Sequence, residues 1–477
     1  MIVVAICMTL IGLSRFYLKS YAAAPNTATT TKTAATVPAA GTANWTTYMY
    51  GNDHTGVNPN ETTISSTNAS SLVVKWKFQA PTATSELVAE PIIENGILYE
   101  GSWDGYMYAM SATTGKAVWQ TNLGTYRSKQ CSARGGPSGS AAYDNGMIFV
   151  GSGPYMFALN ATTGAIIWQQ LIGTAGNFSD HIWGSSTVAN GKVYVGIASL
   201  CDNPLTQGIL YALDENTGQI SAQADIVPNG DIGGGIWDAP TIDPATGTVI
   251  VTTGSIDKVN ITPMEAAVVT LDWNTLAIKQ FWQVPASERQ YDADFGSSPT
   301  LFTASNGKTY FGCINKNTIY YIFDESNVTA GPVLERSLGP GGDKGGLQGS
   351  ISSSAYLNGV LYITTSLATV MGVNYAGSIG AFTFDPTVPS LKTVWRSGTP
   401  GHFYTAPIIA NGLVYDTQGN PGVTSGNVFE VRDINTGNVL YTKSFNSPIK
   451  ASVTVLNGYV YIASFNRILY AMKPTVA

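Results

Sequence analysis

Residues 95–120 read NGILYEGSWDGYMYAMSATTGKAVWQ, and looser copies of this stretch return along the chain. The Asn-Gly pair at its start predicts a tight hairpin turn, because both residues tolerate positive φ. Residues 97–101 and 106–111 alternate as two strands, and residues 117–120 form a third strand after a Thr-Thr-Gly turn. With one more strand before the Asn-Gly pair, the stretch predicts four short antiparallel strands, the sheet of one β-propeller blade.

The number of these hairpin turns gives the number of blades. A related Ala-Thr-Gly-Thr turn at 245–248 falls in the one long gap between the Asn-Gly pairs, which makes eight turns in all. The turns are roughly 45–60 residues apart, in the range of propeller repeats. The Asn-Gly pairs begin at residues 95, 145, 190, 306, 358, 411 and 457.

The last copy of the repeat lacks an outermost strand, whereas a strand near the start of the chain has no hairpin of its own. That strand is LVVKWKFQ at 72–79. Lending it to the last blade would close the ring and remove the free sheet edges. The sequence therefore predicts an all-β fold, an eight-bladed β-propeller of four-stranded antiparallel blades whose last blade is closed by an N-terminal strand.

Three tryptophans occupy similar late positions in their repeats. Trp119 and Trp168 follow the Thr-Gly turn at the same offset, and Trp395 lies at a comparable place. We expect each indole ring to pack between adjacent blades; the alternative is an aromatic binding surface.

Composition excludes some classes of function. Hydrophobic residues make up 44% of the chain, which is ample for a large core. Charged residues make up only 11%, against about 25% in a typical soluble domain. The net charge is −6 and no block of Lys or Arg occurs, so nucleic-acid binding is not expected.

The N-terminus predicts an exported protein. Residues 1–24 contain a short apolar run followed by small residues, as in a signal peptide or a short membrane anchor. Residues 25–43 are rich in Thr and Ala and predict a linker, and residues 44–477 form the propeller. We expect a secreted or cell-surface glycoprotein. Asn-x-Ser/Thr sites occur at Asn44, Asn60, Asn68, Asn160, Asn177, Asn260 and Asn327.

Cysteine and histidine patterns argue against several kinds of cofactor. The four cysteines are all isolated, so neither a zinc knuckle nor a covalently bound c-type haem is expected. Cys131 and Cys201 could form a disulfide or remain two free thiols. The three histidines are scattered, and no hydrolase or nucleotide-binding motif occurs in a suitable context.

Several motifs resemble those of a known family. The repeat A-[LM]-x-A-x-T-G-x-x-x-W is similar to the pyrroloquinoline quinone (PQQ) repeat. The segments GGGIWDAPTIDPATGTVIVTTGS (233–255), DADFGSSPTLF (292–302) and LGPGGDKGGLQGSISSSA (338–355) resemble those of quinoprotein dehydrogenases. Together they look most like the polyvinyl-alcohol-dehydrogenase-like branch, and the resemblance runs over residues 44–477.

The resemblance implies a cofactor site with named residues. Trp237 would be the aromatic floor under PQQ, and Lys316 would face the quinone oxygens. Asp294 would be the catalytic base and a ligand of a Ca²⁺ ion, a hard ion that prefers oxygen ligands. Arg134 would pair with a cofactor carboxylate. Simpler roles are open for three of them: blade packing for Trp237, a turn cap for Asp294 together with Asp292, and an exposed loop position for Lys316.

The chain departs from the family pattern at two metal ligands and at one cysteine pair. Ser255 stands where many quinoprotein dehydrogenases have an asparagine. The segment GNFSDHIWGSS (176–186) lacks the usual glutamate, which leaves Asp180 as a substitute. The family's adjacent cysteine pair is also missing, because Cys131 stands alone.

Two functions are compatible with these observations. The first is an extracytoplasmic PQQ-dependent oxidoreductase that oxidises a small-molecule alcohol or sugar hydroxyl. Its electrons would pass to a separate acceptor, because no haem motif is fused to the chain. The alternative is a propeller without cofactor that serves as a scaffold, assembly or binding module, with association with a membrane or cell surface, or with further copies of itself.

Overall fold

A computed structural model shows an all-β ring of eight sheets, as the sequence predicts. The predicted leader, nearly all of the linker, Cys131 and Ser255 lie outside the described residues. Within the described part, the helices are two 3-10 segments, Ala69–Ser71 and Glu325–Ala330. The structure describes residues 43–82, 85–127, 134–174, 179–202, 204–254, 256–257, 261–289, 292, 294–342, 349–419 and 426–475.

Each blade contains four antiparallel strands, which we number from the hub outward. The first strands of blades 1 to 8 are Ile92–Glu94, Ala142–Asp144, Thr187–Ala189, Thr241–Asp243, Thr300–Thr303, Ala355–Leu357, Ile408–Ala410 and Thr454–Leu456. The second strands are Ile97–Gly101, Met147–Ser152, Lys192–Ser199, Thr248–Thr252, Thr309–Ile314, Val360–Val370, Leu413–Gln418 and Tyr459–Ser464.

The two outer strands complete each sheet. The third strands are Tyr106–Ser111, Tyr155–Asn160, Ile209–Asp214, Ala267–Asp272, Ile319–Asp324, Val373–Asp385, Asn427–Asp433 and Ile468–Pro474. The fourth strands are Ala117–Asn122, Ile166–Leu171, Ile220–Asp225, Ile278–Gln283, Leu334–Ser337, Ser390–Thr399, Val439–Phe445 and Leu72–Gln79. Short additional strands are Val57–Asn58, Tyr126–Arg127, Arg134–Gly135 and Asp180–His181.

The predicted turns lie between the first and second strands. In blade 1, Asn95 has φ 49° and Gly96 has φ 75°. Positive φ at both residues is what a tight hairpin requires, and it explains why Asn-Gly recurs. All eight turns lie on one face of the ring. The loops between second and third strands, and the connections into each first strand, therefore lie on the opposite face, which we call the upper face.

The N-terminal strand closes the ring, as predicted. Leu72–Gln79 pairs antiparallel with Ile468–Pro474 as the fourth strand of blade 8. Trp76 of this strand donates its Nε1–H to the carbonyl of Ala112 in blade 1, at 3.1 Å. Near the hub, the hydroxyl of Thr454 in blade 8 donates to the carbonyl of Pro91. Both contacts join blade 8 to blade 1.

The repeated tryptophans pack between blades, which confirms the structural interpretation. Trp119 is 2% exposed and donates its Nε1–H to the carbonyl of Ala161 in the next blade, at 2.9 Å. Its ring covers Gly164, whose φ of 73° and lack of a side chain allow the close approach. Trp168 and Trp395 make the same kind of contact with the carbonyls of Glu215 and Ile434.

Replacing Trp119 with alanine is expected to lower the free energy of unfolding by about 3–5 kcal/mol, because it empties the space between blades 1 and 2. Denaturant titration of the purified variant measures this loss. The neighbouring exposed Lys116→Ala is a control with little effect. A loss below about 1 kcal/mol for the tryptophan variant would contradict the packing role.

In the part of the chain that the structure describes, no helix has the length and apolar character needed to cross a membrane.

Candidate functional site

The residues around the hub follow from the blade repeat. The residue four positions before each first strand points into a central cavity of about 160 Å³ on the upper side of the ring. Because the blades repeat, these eight positions form one layer, which we call the upper ring. In blade order its members are Val88, Ser138, Trp183, Trp237, Gly296, Ile351, Tyr404 and Lys450.

A second layer lies two residues further along each connection. Where the upper ring mixes aromatic, small and charged residues, this layer is mostly serine. Ser140 accepts a hydrogen bond from the backbone N–H of Glu90 at 2.9 Å, and Ser185 accepts one from the N–H of Ser140 at 2.9 Å. These bonds run from one blade to the next, so they fix the inner edge of the ring.

Trp237 lies in the upper ring rather than at a blade-packing position. Its indole ring rests against Gly254 and Gly296, where a side chain would collide with it. Its Nε1–H is buried and has no hydrogen-bond partner among the described residues. The Nζ atom of Lys316 lies 5.2 Å from the centre of the ring, within the range of a cation–π contact.

Lys316 joins Trp237 to two carboxylates. Its Nζ lies 2.9 Å from Asp292 Oδ2 and 3.0 Å from Asp294 Oδ2. The Lys316 side chain is 11% exposed, so it is not an exposed loop lysine. Lys316 follows the second strand of blade 5, and Asp294 lies in the connection into the same blade. The backbone N–H of Lys316 donates to the carbonyl of Asp294 at 3.0 Å, which fixes the two segments together.

Burial and neighbouring charges set the protonation of this pair. Burial raises the pKa of Asp294 above its ordinary value, Lys316 opposes that rise, and the carboxylates of Asp292 and Asp202 add to it. Burial alone would lower the pKa of Lys316, but the carboxylates of Asp294 and Asp292 outweigh it and hold the pKa above its ordinary value. Lys316 is therefore a permanent cation next to a carboxylate that can exchange a proton near neutral pH.

Three carboxylates form an acidic cluster beside the lysine. Oxygen atoms of Asp202, Asp292 and Asp294 all lie within 4.8 Å of one another. Sequence reasoning identified Asp294 and named Asp292 as a turn residue, but it missed Asp202. The only available signal was its position directly after Cys201, a cysteine that is disulfide-bonded. Its candidate partner Cys131 lies outside the described residues.

The other sequence candidates fall at different places. Asp180 does not join the acidic cluster; its Oδ2 accepts a hydrogen bond from the backbone N–H of Thr174 at 2.5 Å. Its place outside the cluster does not support it as a substitute for the missing glutamate. Arg134 begins the two-residue strand Arg134–Gly135, and its pairing with a cofactor carboxylate stays a prediction.

A model of a known protein family matches this chain. A family model described as PQQ_2, outer membrane protein assembly factor BamB, matches residues 60–318, more than half of the chain. The chain belongs to the PQQ_2 family. Its propeller and its repeat motif are those expected of a PQQ_2 member.

One curated relative of this PQQ_2 chain is a dehydrogenase. Polyvinylalcohol dehydrogenase from Pseudomonas sp is 25% identical over 324 residues, covering 60% of the chain and 44% of that relative. The chain thus matches less than half of the length of this curated relative. Two solved structures are similar in fold. They are the quinohemoprotein alcohol dehydrogenase ADHIIG from Pseudomonas putida and a europium-containing methanol dehydrogenase.

The structural likeness covers nearly the whole propeller. The first structure has a TM-score of 0.71 at 15% identity and covers 91% of this chain and 81% of its own. The second has a TM-score of 0.72 at 16% identity and covers 90% of this chain and 98% of its own. BamB from Moraxella catarrhalis has a TM-score of 0.56 at 15% identity and covers 85% of this chain and 98% of its own. At these identities the likeness shows the fold alone.

Proposed function

We propose that this protein is a PQQ-dependent oxidoreductase that oxidises an alcohol or sugar hydroxyl at the upper side of its hub. The observation that carries the proposal is the meeting of Trp237, Asp294 and Lys316 in one site. Lys316 lies 3.0 Å from the Asp294 carboxylate and 5.2 Å from the centre of the Trp237 ring. These residues come from the adjacent blades 4 and 5, so the packing of these two blades brings them together.

The residues present fit the cofactor that the proposal needs. PQQ is a planar tricarboxylate with an ortho-quinone, so it requires a flat floor and cationic or hydrogen-bonding partners. Trp237 offers a flat ring and a buried Nε1–H without a partner among the described residues. Lys316 offers a cation beside that ring. When bound, PQQ would supply the two-electron acceptor for the alcohol.

The acidic cluster fits a divalent cation. Asp202, Asp292 and Asp294 carry up to three negative charges against the single positive charge of Lys316, so the cluster is net negative once Asp294 is deprotonated. All three offer oxygen ligands, which Ca²⁺ prefers. The missing asparagine and glutamate of the family pattern are therefore offset in part by Asp202 and Asp292.

Asp294, Lys316 and Trp237 would each have a separate role in the reaction. Asp294 Oδ would accept the hydroxyl proton of the alcohol, for which the carboxylate must be deprotonated. Lys316 would hold that carboxylate in place and present a positive charge where negative charge develops. Trp237 would fix the plane of the ligand above it.

The proposal also covers the location of the protein and the acceptor of the electrons. We place the protein outside the cytoplasm, secreted or at the cell surface, in keeping with its N-terminal sequence. The electrons would leave through a separate acceptor.

Reconstitution tests the proposal. The purified protein is incubated with PQQ and Ca²⁺, and reduction of an artificial dye is followed with short alcohols and with sugars. We expect alcohol-dependent dye reduction that requires PQQ. Bound PQQ without any turnover, or no binding at all, would instead favour the scaffold or assembly module.

Asp202→Asn is expected to weaken Ca²⁺ binding at least about tenfold, the scale seen when a supporting group of a metal site is lost. The reason is the loss of one of three negative charges that face the ion. Isothermal titration with Ca²⁺ measures the effect. Asp433→Asn, at an exposed turn of blade 7, is the matched control. Equal Ca²⁺ affinity in both variants would exclude Asp202 from the metal site.

A further inference from the structure

Lys450 is a second cation at the hub, and the mechanism above does not use it. It is the blade 8 member of the upper ring and lines the central cavity. Blade 8 is four blades away from blade 4 in a ring of eight, so Lys450 lies on the wall opposite Trp237. The same position in the other blades holds aromatic, aliphatic or small residues, so the charge is particular to blade 8.

The ammonium of Lys450 has no acidic partner within ion-pairing distance among the described residues. Its Nζ lies 4.6 Å from the centre of the Phe465 ring and 5.7 Å from the centre of the Tyr404 ring. The described residues form no hydrogen bond or ion pair with it. Two aromatic faces attract a cation, but they do not supply the oxygen acceptors that an ammonium uses in water.

Burial makes this arrangement costly for the free protein. It lowers the pKa of Lys450, and the more distant carboxylate of Glu86 opposes that shift only in part. An anion that enters the cavity would satisfy the ammonium and favour its charged form. The neighbouring members of the upper ring are consistent with a flat ligand, because Tyr404 and Trp183 border the same cavity.

We propose that Lys450 binds a carboxylate group of a planar ligand that occupies the central cavity. The carboxylate could belong to the quinone cofactor or to an acid-bearing substrate, and the chemistry of recognition is the same. In the first case the inference deepens the proposed function, since it assigns the wall opposite Trp237 to a cofactor carboxylate. In the second case it stands independently of the cofactor.

Calorimetric titration with benzene-1,2,4-tricarboxylate tests the assignment without any redox step. A charged hydrogen bond contributes about 1.5–3 kcal/mol, so Lys450→Met is expected to weaken binding about 10- to 100-fold. Lys450→Arg keeps the charge and should restore most of the affinity. Lys473→Met is the matched control, because Lys473 Nζ lies 4.8 Å from the Tyr459 ring centre but does not line the cavity.

The outcomes separate this inference from the proposed function. Loss of tricarboxylate binding in Lys450→Met, with binding kept in Lys450→Arg and Lys473→Met, supports the assignment. No binding to the unaltered protein, or equal binding to Lys450→Met, overturns it. Repeating the titration with PQQ identifies the source of the carboxylate. If the tricarboxylate binds through Lys450 but PQQ does not bind, the proposed function fails and the carboxylate site remains.

Discussion

Asp294→Asn is expected to lower kcat for alcohol oxidation by the PQQ-reconstituted protein about 10²–10⁴-fold, the usual contribution of a general base. Asparagine has nearly the same shape, but it cannot accept the hydroxyl proton. Lys316 keeps Asp292 as an ion-pair partner at 2.9 Å, so the site should stay assembled. Steady-state dye-reduction kinetics at saturating alcohol measure the loss.

The matched control for Asp294→Asn is Asp272→Asn. Asp272 is an aspartate of blade 4 whose carboxylate holds the exposed turn at Thr275. This variant should keep its activity to within about twofold, since surface changes seldom shift free energies by more than about 0.5 kcal/mol. If Asp294→Asn also keeps its activity while PQQ is bound, Asp294 is not the base.

Lys316→Met is expected to lower kcat about 10²–10³-fold, the scale for removing one group that stabilises developing charge. It should also move the pH profile to higher pH. The pKa of Asp294 is raised to about 7, and Lys316 is the group that holds it down. Because the base must be deprotonated, activity of the unaltered protein should rise with pH through the pKa of Asp294, which a bound Ca²⁺ ion would lower. Without Lys316 that rise should occur at higher pH.

The control for Lys316→Met is another lysine in an ion pair of the same length. Lys308 lies 2.9 Å from Asp324, but its side chain is 60% exposed. Exposed pairs contribute about 0–1 kcal/mol, so Lys308→Met should leave both kcat and the pH profile unchanged. Profiles of kcat/KM against pH for Lys316→Met and Lys308→Met show whether only the buried lysine changes the pKa of the base. An unshifted profile in Lys316→Met would show that Lys316 does not control the base.

The sequence predicts the propeller well because its repeat is local. The Asn-Gly pairs mark turns that need positive φ, and their spacing gives eight blades directly. The missing outer strand of the last repeat and the unassigned strand at 72–79 are complementary, and the structure pairs them. The packing of Trp119 and Trp168 is also predictable, because each lies at a fixed offset from a Thr-Gly turn and therefore at the boundary between its blade and the next.

The site is less visible in the sequence because it depends on contacts between neighbouring blades. Resemblance to a family led to Trp237, Asp294 and Lys316, and the structure brings these three together. No local pattern relates Asp202 to Asp294, which are 92 positions apart in sequence and meet only through folding. Lys450 becomes notable only after the first strands are known, because its role rests on the position that it shares with Trp237.

Equilibrium titration of the purified protein with PQQ in the presence of Ca²⁺ tests the central claim most directly. Tryptophan fluorescence and cofactor absorbance report binding without requiring the right substrate. The account predicts saturable binding at one site per chain, weakened at least about fivefold in Trp237→Ala, because stacking on an indole contributes about 1 kcal/mol or more. No saturable binding, or equal affinity in the Trp237 variant, would contradict a cofactor site at the hub.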